Sequence, residues 1–182
     1  MTLKLLKKNY KPVSCVFDNV TNSFFIKGFL GFNKVEFPLS KYKFENKTDN
    51  NKLFFFKFIV PNKGLSVTFK KAFQRALIGV SFGWFISLEV VGRGFSIDLK
   101  ENRLLLNVGF SHGFCILLDP SFRCLLDVQK KTSFTLFNKN YNQLKNLSCL
   151  IKQLKPINPY KGSGIRYFGE KIKLKQGKKN TN

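Results

Sequence analysis

The stretch FFIKGFLGFNKVEFP, residues 24–38, lies against LLNVGFSHGFCILLDP, residues 105–120, with Gly28 over Gly109. Both stretches alternate apolar and polar residues around that glycine, a pattern typical of two strands joined by a bend or tight turn. A later pair agrees, because LFFFKF at 53–58 lies against SFTLFN further along the chain. The sequence therefore predicts that one structural unit is present twice.

The first half is predicted to contain strands at 23–37 and 52–60, separated by a loop, NKTDNN, at 46–51. A helix is predicted at 65–78, ending near Gly79, because four apolar residues recur at every fourth position. These residues are Leu65, Phe69, Phe73 and Leu77.

The second half repeats this order. Strands are predicted at 84–92 and 132–138, a hairpin at 94–110, and a second helix at 140–154, which ends before Pro156. Two short apolar segments, FCILLD and FRCLLDV, lie between the hairpin and the last strand. The expected fold class is α+β, with two tandem duplicated units, each an antiparallel sheet with one main helix packed on it.

The two repeats are expected to form two domains, residues 1–79 and residues 80–182. The second domain also contains a basic segment at 156–179, in which glycines, prolines and tyrosines interrupt a run of lysines. That composition disfavours a helix, and the regular spacing disfavours a plain charged tail. We call residues 156–179 the basic ribbon.

A net charge of +22, from 32 Lys and Arg residues against 10 acids, is spread over both halves of the chain. Self-repulsion at this charge opposes a compact state unless a polyanion neutralises it. Nucleic acid is the expected partner, and an anionic membrane surface is the alternative. The longest uncharged runs are shorter than the roughly 20 residues of a membrane-spanning helix, and the start of the chain lacks the apolar stretch of a signal peptide.

The sequence predicts neither a catalytic site nor a metal site. The four cysteines form no CxxC pair, His112 is the only histidine, and the few acids form no readable pair for acid–base catalysis. We therefore expect a protein that is not an enzyme and has no cofactor, metal or small-molecule substrate. Most thiols are expected to be buried as small apolar groups, with Cys115 and Cys124 on neighbouring strands and Cys149 on the second helix.

The basic ribbon is the most specific candidate for nucleic-acid binding. Without Cβ atoms, Gly162 and Gly164 would let the backbone approach a sugar–phosphate chain closely. Three lysines at 171–175 alternate with apolar residues, which in a strand would place their ammonium groups on one face. Lys178 and Lys179 lie beyond this alternation, so their removal is expected to cost little. The candidate contacts in the ribbon are Tyr160, Lys161, Gly162, Ser163, Gly164, Arg166, Tyr167, Lys171, Lys173 and Lys175.

Two turns add further candidates. GRGF at 92–95 lacks the GxGxxG spacing and lies between strands, so we interpret it as a tight turn or β-bulge. Such a turn can still bring Arg93 and the backbone of Gly94 close to a phosphate. His112, in GFSHGF, has no catalytic neighbours, which indicates a turn residue or an RNA contact.

The chain resembles the family of large-subunit ribosomal protein six, of bacterial type. The family's C-terminal signature, PYKGKGIRYxGE, appears as PYKGSGIRYFGE at 159–170, with Ser163 where the family has lysine. Its GxGY/F turn appears at 92–95. Its LGFSHP segment appears as VGFSHG at 108–113, which adds Ser111 to the candidate contacts.

These matches cover residues 79–179, whereas residues 1–78 match in pattern alone. The resemblance implies a duplicated α+β fold and a structural role in the large ribosomal subunit, without catalysis. It also implies that the C-terminal half binds large-subunit rRNA near the sarcin–ricin loop and the stalk base. The partners would be this rRNA, neighbouring large-subunit proteins and, transiently, elongation factors, with no membrane involved. A peripheral protein on an anionic membrane or on another RNA is the alternative.

The composition indicates which ribosome this would be. Phe, Lys, Asn and Ile, whose codons are A/T-rich, are abundant, and lysine far outnumbers arginine. We therefore expect a mitochondrial ribosome in the matrix and a gene carried by the organelle itself. A plastid or the bacterial cytoplasm is the alternative.

Overall fold

The computed structural model describes residues 2–4, 13–18, 23–36, 44–49, 53–58, 63–127 and 131–177. The chain divides into two compact units, residues 1–83 with 139–141 and residues 84–138 with 142–182. We call them the first and the second unit. The strand pairs of the described residues are antiparallel.

The first unit forms two small sheets and a helix. Its described elements are β1 (Thr2–Lys4), β2 (Ser14–Asp18), β3 (Ser23–Gly28), β4 (Gly31–Glu36), β5 (Phe44–Asp49), β6 (Leu53–Phe58) and α1 (Lys63–Ser81). The strand orders are β1-β6-β5 and β2-β3-β4. Helix α1 packs on β3 and β4, where Phe73, Leu77 and Val80 form a core with Phe24 and Ile26.

The predicted helix is present and extends three residues past its expected C-terminal end. Gly79 lies inside α1, and the helix ends instead at Ser81, two residues before Gly83, which has a φ of 80°. The N–H groups of Phe82 and Gly83 both donate to the carbonyl of Ile78, at 2.8 and 3.1 Å. A glycine with positive φ just beyond the last turn is the usual way to satisfy the final carbonyls.

The second unit also forms two sheets and one main helix. Its described elements are β7 (Trp84–Val91), β8 (Ser96–Lys100), β9 (Arg103–Asn107), β10 (Phe114–Leu117), β11 (Arg123–Leu126), β12 (Ser133–Asn138), α2 (Tyr141–Leu154) and β13 (Gly164–Tyr167). The strand orders are β10-β9-β8 and β11-β12-β7-β13. Both sheets and α2 contribute to a single core, which includes Leu88, Leu106, Leu136, Leu144 and Ile165.

The two units share one strand order, which confirms the predicted duplication. The sheet β1-β6-β5 corresponds to β7-β12-β11, and β2-β3-β4 corresponds to β8-β9-β10. The main helix follows the sixth strand in each unit. The aligned stretches 24–38 and 105–120 fall on the equivalent hairpins β3–β4 and β9–β10. The second unit adds β13, which pairs with the free side of β7.

The predicted loop at 46–51 is wrong for residues 46–49. These residues belong to β5, which pairs along its whole length with β6. The polar composition was misleading because β5 is the outermost of the three described strands of its sheet. An edge strand tolerates charged and polar residues, and lysine in particular protects it from pairing with other chains.

The predicted strand at 171–175 is also wrong. The strand of the basic ribbon is β13, whereas residues 171–177 have no regular secondary structure. The N–H of Lys175 donates to the carbonyl of Pro159 at 2.9 Å, so the ribbon folds back on itself. Cys115 and Cys124 do not lie on neighbouring strands either, because β10 and β11 belong to different sheets.

Candidate nucleic-acid interface

Phe95 holds together the two turns that carry candidate residues. A Cβ on either Gly92 or Gly109 would overlap the Phe95 ring, so the ring fits between the turns after β7 and β9 because both positions are glycine. Gly94 has a φ of 71°, as a tight turn requires. Around this ring the other candidates of the two turns are exposed: Arg93, Gly94, Ser111 and His112.

Lys155 connects the second of these turns to the start of the ribbon. Its Nζ lies 4.0 Å from the centroid of the Phe110 ring, within the range of a cation–π contact. The Phe110 ring also meets Phe114 edge to face, with the centroids 5.4 Å apart. The turn with Ser111 and His112 is thereby placed beside the residue that precedes the ribbon.

The first part of the ribbon is a loop closed by Asn158. Its Oδ1 accepts hydrogen bonds from the N–H groups of Tyr160 and Lys161, at 2.8 and 3.3 Å. Its backbone bonds to the N–H of Gly162 and the carbonyl of Ser163, both at 2.8 Å. Asparagine commonly supports turns in this way. The loop leaves Tyr160 and Lys161 exposed.

In the next part of the ribbon, β13, the polar side chains form contacts with other residues of the protein. Arg166 lies opposite Glu89 of β7 and forms an ion pair with it. The Tyr167 ring contacts Lys145 and Lys152, whose Nζ atoms are 4.5 and 4.7 Å from its centroid. Tyr167 therefore positions the lysines of α2. Arg166 has five N–H donors and can contact a phosphate while keeping its pair with Glu89.

Glu170 fastens the end of β13 to α2. Lys152 Nζ lies 2.6 and 2.7 Å from its two carboxylate oxygens, and the N–H of Tyr167 donates to it at 3.0 Å. The hydrogen bond from Lys152, then that from Tyr167, hold the pKa of Glu170 below its ordinary value, although burial opposes the shift. This acid is therefore satisfied within the protein and stays charged at neutral pH.

The lysines that follow belong to the same surface as the loop. Lys171, Lys173 and Lys175 are exposed. The bond from the Lys175 N–H to the Pro159 carbonyl anchors them. Leu174 reaches back over Gly162, where a Cβ would lie 3.4 Å from its Cδ2. Lys178 and Lys179 lie outside the described residues.

The glycines of the ribbon have an internal role that the sequence did not indicate. Gly164 is buried, with a φ of 145°, and a Cβ there would lie 2.8 Å from both Ile157 Cα and the Pro156 carbonyl oxygen. Gly162 has a φ of 71°. Close packing of the protein's own backbone thus accounts for Gly164. A contact between these glycines and RNA stays a prediction.

The sequence interpretation missed four residues of this surface, Phe110, Lys145, Lys152 and Lys155. A partial signal was present, because Lys145 and Lys152 are seven residues apart and so lie on one face of a helix. Nothing in the sequence showed that this face meets Tyr167, since the contact joins residues about twenty positions apart.

The cysteines divide into two classes. Cys15 and Cys124 are partly buried, and burial raises the pKa of each to about 11. Cys115 and Cys149 are exposed, so the expectation of mostly buried thiols is wrong for these two. They lie on the solvent sides of β10 and α2, where a polar or an apolar residue costs little.

Neither a cluster of metal-binding side chains nor a membrane-spanning helix is present among the described residues. No group of three or more His, Cys, Asp or Glu residues in the described ranges could hold a metal ion. The helices that the structure describes are too short or too polar to cross a membrane.

No protein-family model matches the chain. Large ribosomal subunit protein uL6 of Enterococcus faecalis is 33% identical over 126 residues, which cover 66% of this chain and 70% of that protein. The chain belongs to the uL6 family. Large ribosomal subunit protein uL6m of Reclinomonas americana is 29% identical over 178 residues, or 92% of this chain and 94% of that protein. For uL6c of Porphyra purpurea the identity is 34% over 100 residues, 55% of this chain and 54% of that protein.

Membership of the uL6 family confirms the resemblance noted in the sequence. Several bacterial uL6 proteins are matched over 57% to 65% of their length, so the chain spans less than two thirds of those relatives. The uL6 family consists of structural ribosomal proteins and not of enzymes, which agrees with the prediction that the chain is not an enzyme.

Proposed function

We propose that the chain is a structural constituent of the large ribosomal subunit and binds large-subunit rRNA through its C-terminal domain, residues 80–182. The observation that carries the proposal is the assembly of the candidate surface. Two exposed turns, the Asn158 loop and the lysines of the ribbon are joined by contacts within the second unit. The uL6 family supplies the ribosomal setting, and a net charge of +22 supplies attraction to phosphates.

Within this surface the residues divide by role. Exposed cations contact phosphates: Arg93, Lys161, Lys171, Lys173 and Lys175. Tyr160, which is 58% exposed, offers its ring to an unstacked base, and Ser111 and His112 offer hydrogen bonds to RNA. Arg166, Tyr167 and Glu170 hold the ribbon in place through their internal partners.

The resemblance suggests where in the subunit this contact lies. We place it near the sarcin–ricin loop and the stalk base, with neighbouring large-subunit proteins as permanent partners and elongation factors as transient ones. The uL6m protein of Reclinomonas americana, aligned over 92% of this chain, favours a mitochondrial ribosome, and the A/T-rich coding favours a gene in the organelle. Hydroxyl-radical footprinting of reconstituted subunits and fractionation of purified mitochondria test the two placements.

Variants that remove positive charge from the ribbon test the rRNA contact. We expect the triple variant Lys161→Ala, Lys171→Ala, Lys173→Ala to reduce the slope of log affinity against log salt by roughly one per lysine, because each removes one phosphate contact. Binding to a large-subunit rRNA fragment is measured by filter retention from 50 to 200 mM salt, concentrations at which the phosphate term changes by orders of magnitude.

A matched control removes cations elsewhere in the same unit. Lys100 and Arg103 are exposed at the turn between β8 and β9, and Lys131 is exposed before β12. Their alanine variant has the same net charge as the ribbon variant and is expected to leave the slope nearly unchanged. If both triple variants lose slope equally, the charge acts diffusely and the ribbon is not the contact.

A further inference from the structure

The outer face of the sheet β11-β12-β7-β13 carries exposed apolar side chains that take no part in the proposed phosphate contacts. Side chains alternate along its strands, so Leu88 of β7 and Leu136 of β12 are buried, and their neighbours on the same strands face outward. On this outward face Leu125 is 68% exposed, and Phe168, directly after β13, is 70% exposed. Two large apolar side chains are therefore exposed on the outer face of this sheet.

The strand register places these two residues in one row. Leu125 pairs with Thr135, Thr135 pairs with Ser87, and the N–H of Phe168 donates to the carbonyl of Ser87 at 3.0 Å. Leu125 and Phe168 are therefore three strand spacings apart, roughly 14 Å between their backbones. The Leu125 and Phe168 side chains occupy part of this distance. The space that remains between them suits one planar ring whose edge points toward the sheet.

A depression of about 260 Å³ lies in this row. Leu125 and Phe168 form its walls, and the hydroxyls of Ser87 and Thr135, 2.8 Å apart, lie between them. The depression is smaller than the roughly 300–1,000 Å³ of pockets for drug-sized ligands, so it suits a single ring system. One of the two hydroxyls donates to the other, which leaves one O–H and several lone pairs for a ligand.

We call the depression between Leu125 and Phe168 the slot. Its two ends differ in charge. At one end the carboxylate of Asp127 accepts a hydrogen bond from Ser133 Oγ at 3.2 Å, and a carboxylate has about four acceptor sites. At the other end Arg123 is exposed, and its neighbour across the sheet, Phe137, pairs with Phe85. A ligand with hydrogen-bond donors on one edge and a phosphate on the other side matches this polarity.

We propose that the slot binds one unstacked purine base of single-stranded RNA, guanine by preference, between Phe168 and Leu125. Guanine presents N1–H and N2–H side by side, which suits the carboxylate of Asp127, and its O6 and N7 accept from a hydroxyl of the row. Adenine and uracil each place a hydrogen-bond acceptor where guanine has a donor. Phosphate contacts alone carry no sequence information, so the slot would add base recognition to them.

This proposal rests on the proposed function and deepens it. An apolar side chain of a protein partner suits the slot less well, because it would leave Asp127 and the hydroxyls without water or hydrogen bonds. Phe168 also lies within the ribbon, three residues before Lys171, so an RNA strand along the lysines passes the slot.

Pentaribonucleotides of equal charge test the slot. The full chain, labelled with ¹⁵N, is titrated with UUGUU, UUAUU, UUCUU and UUUUU, and the amide shifts of Ser87, Thr135 and Phe168 report occupancy. Equal charge cancels the phosphate term, so differences between the oligonucleotides report the base. We expect UUGUU to bind at least about fivefold more tightly than UUUUU, the lower end of the discrimination that a two-bond contact to one base provides.

Variants assign the contact to the slot. Phe168→Ala or Leu125→Ala is expected to weaken UUGUU binding about 5- to 100-fold, and Asp127→Asn to abolish the preference for guanine. Leu117→Ala, which replaces an equally exposed residue of β10, is the control and is expected to change nothing. Because these side chains are exposed, the amide spectrum of each variant should keep its folded dispersion.

The outcomes separate the two proposals. Equal binding of all four oligonucleotides, together with tight binding of the rRNA fragment, would overturn the slot and leave the proposed function intact. Guanine preference without any effect of the ribbon lysines on rRNA binding would support the slot and overturn the ribbon contact. Shifts at Phe168 caused by N-acetyl-leucine amide, but by none of the oligonucleotides, would assign the slot to a protein partner instead.

Discussion

Gly164 lies in the most conspicuous motif of the sequence, and it packs tightly against the protein's own backbone. Its φ of 145° and the backbone atoms of Pro156 and Ile157, 2.8 Å from an ideal Cβ, exclude a side chain. We expect Gly164→Ala to lower the free energy of unfolding by about 1–3 kcal/mol in the absence of RNA, the cost of a residue forced into a sparsely populated conformation. Urea denaturation at pH 7 measures this difference.

Gly177→Ala is the matched control, because no atom lies within 4 Å of an ideal Cβ at that position. Its unfolding free energy is expected to stay unchanged. Should Gly164→Ala keep full stability but weaken binding to the rRNA fragment, the glycine would serve RNA approach and not backbone packing.

The thiols also give a prediction for single residues. Cys115 and Cys149 are exposed, whereas burial raises the pKa of Cys15 and Cys124 to about 11. Because the thiolate is the reactive form, we expect iodoacetamide at pH 8 to modify the exposed pair first and the buried pair at least about tenfold more slowly. Peptide mass spectrometry over a time course identifies the sites. Equal rates at all four positions would show that the buried pair is accessible.

At the scale of elements, the turn after β13 is fastened to α2 by Glu170. Since hydrogen bonds lower the folded-state pKa of this carboxyl, its stabilisation is present above the unfolded value of about 4.3 and is lost as pH falls through the folded value. Glu170→Gln is expected to reduce the unfolding free energy at pH 7 by about 0.5–1 kcal/mol, a modest amount because the pair is partly exposed.

Urea denaturation of both proteins at pH 7 and pH 3 checks this sign. The difference between them should be smaller at pH 3 than at pH 7, because the stabilisation is lost progressively as pH falls below the unfolded-state pKa toward the lowered folded-state pKa. Glu101→Gln, at the exposed turn between β8 and β9, is expected to show little difference at either pH. A deficit of Glu170→Gln that grows on acidification would contradict the role of the charged carboxylate.

The elements also show what the sequence could predict. Period-two alternation located the hairpin β8–β9, and helical spacing located α1 and α2, because one face of each element is buried against a core. The same logic failed for β5, whose edge position relaxes the demand for apolar residues, and for 171–175, whose alternation is satisfied without a strand. An alternating sequence predicts that one side of a segment is buried. It does not predict whether a neighbouring strand is available to pair with that segment.

For the candidate surface, the sequence supplied the exposed cations and the turn glycines but not their internal partners. Lys161 and Lys173 are exposed as expected. The pair of Arg166 with Glu89 and the contacts of Tyr167 with two lysines of α2 could not be predicted, because they depend on β13 pairing with β7 across more than seventy residues. The slot of Leu125 and Phe168 escaped notice for the same reason.

For the whole molecule, the charge of +22 makes binding strongly dependent on salt. If about six phosphates are neutralised, the affinity for a large-subunit rRNA fragment should fall about 1,000-fold between 50 and 200 mM salt. Filter binding or fluorescence anisotropy across this range gives the slope. A shallow slope would show that base and shape contacts, and not the phosphates, dominate the affinity.

The extra strand of the second unit has a consequence for biosynthesis. β7 is the first strand of that unit, yet it lies between β12 and β13, and its pairing of Val91 with Gly164 closes a loop of about 70 residues. The sheet of the second unit cannot be completed until the chain has been synthesised past Tyr167. A prematurely terminated product would keep an open edge on β7 and lack the ordered lysines. The late strand thus makes the completion of this sheet depend on a segment that is synthesised about 70 residues after β7.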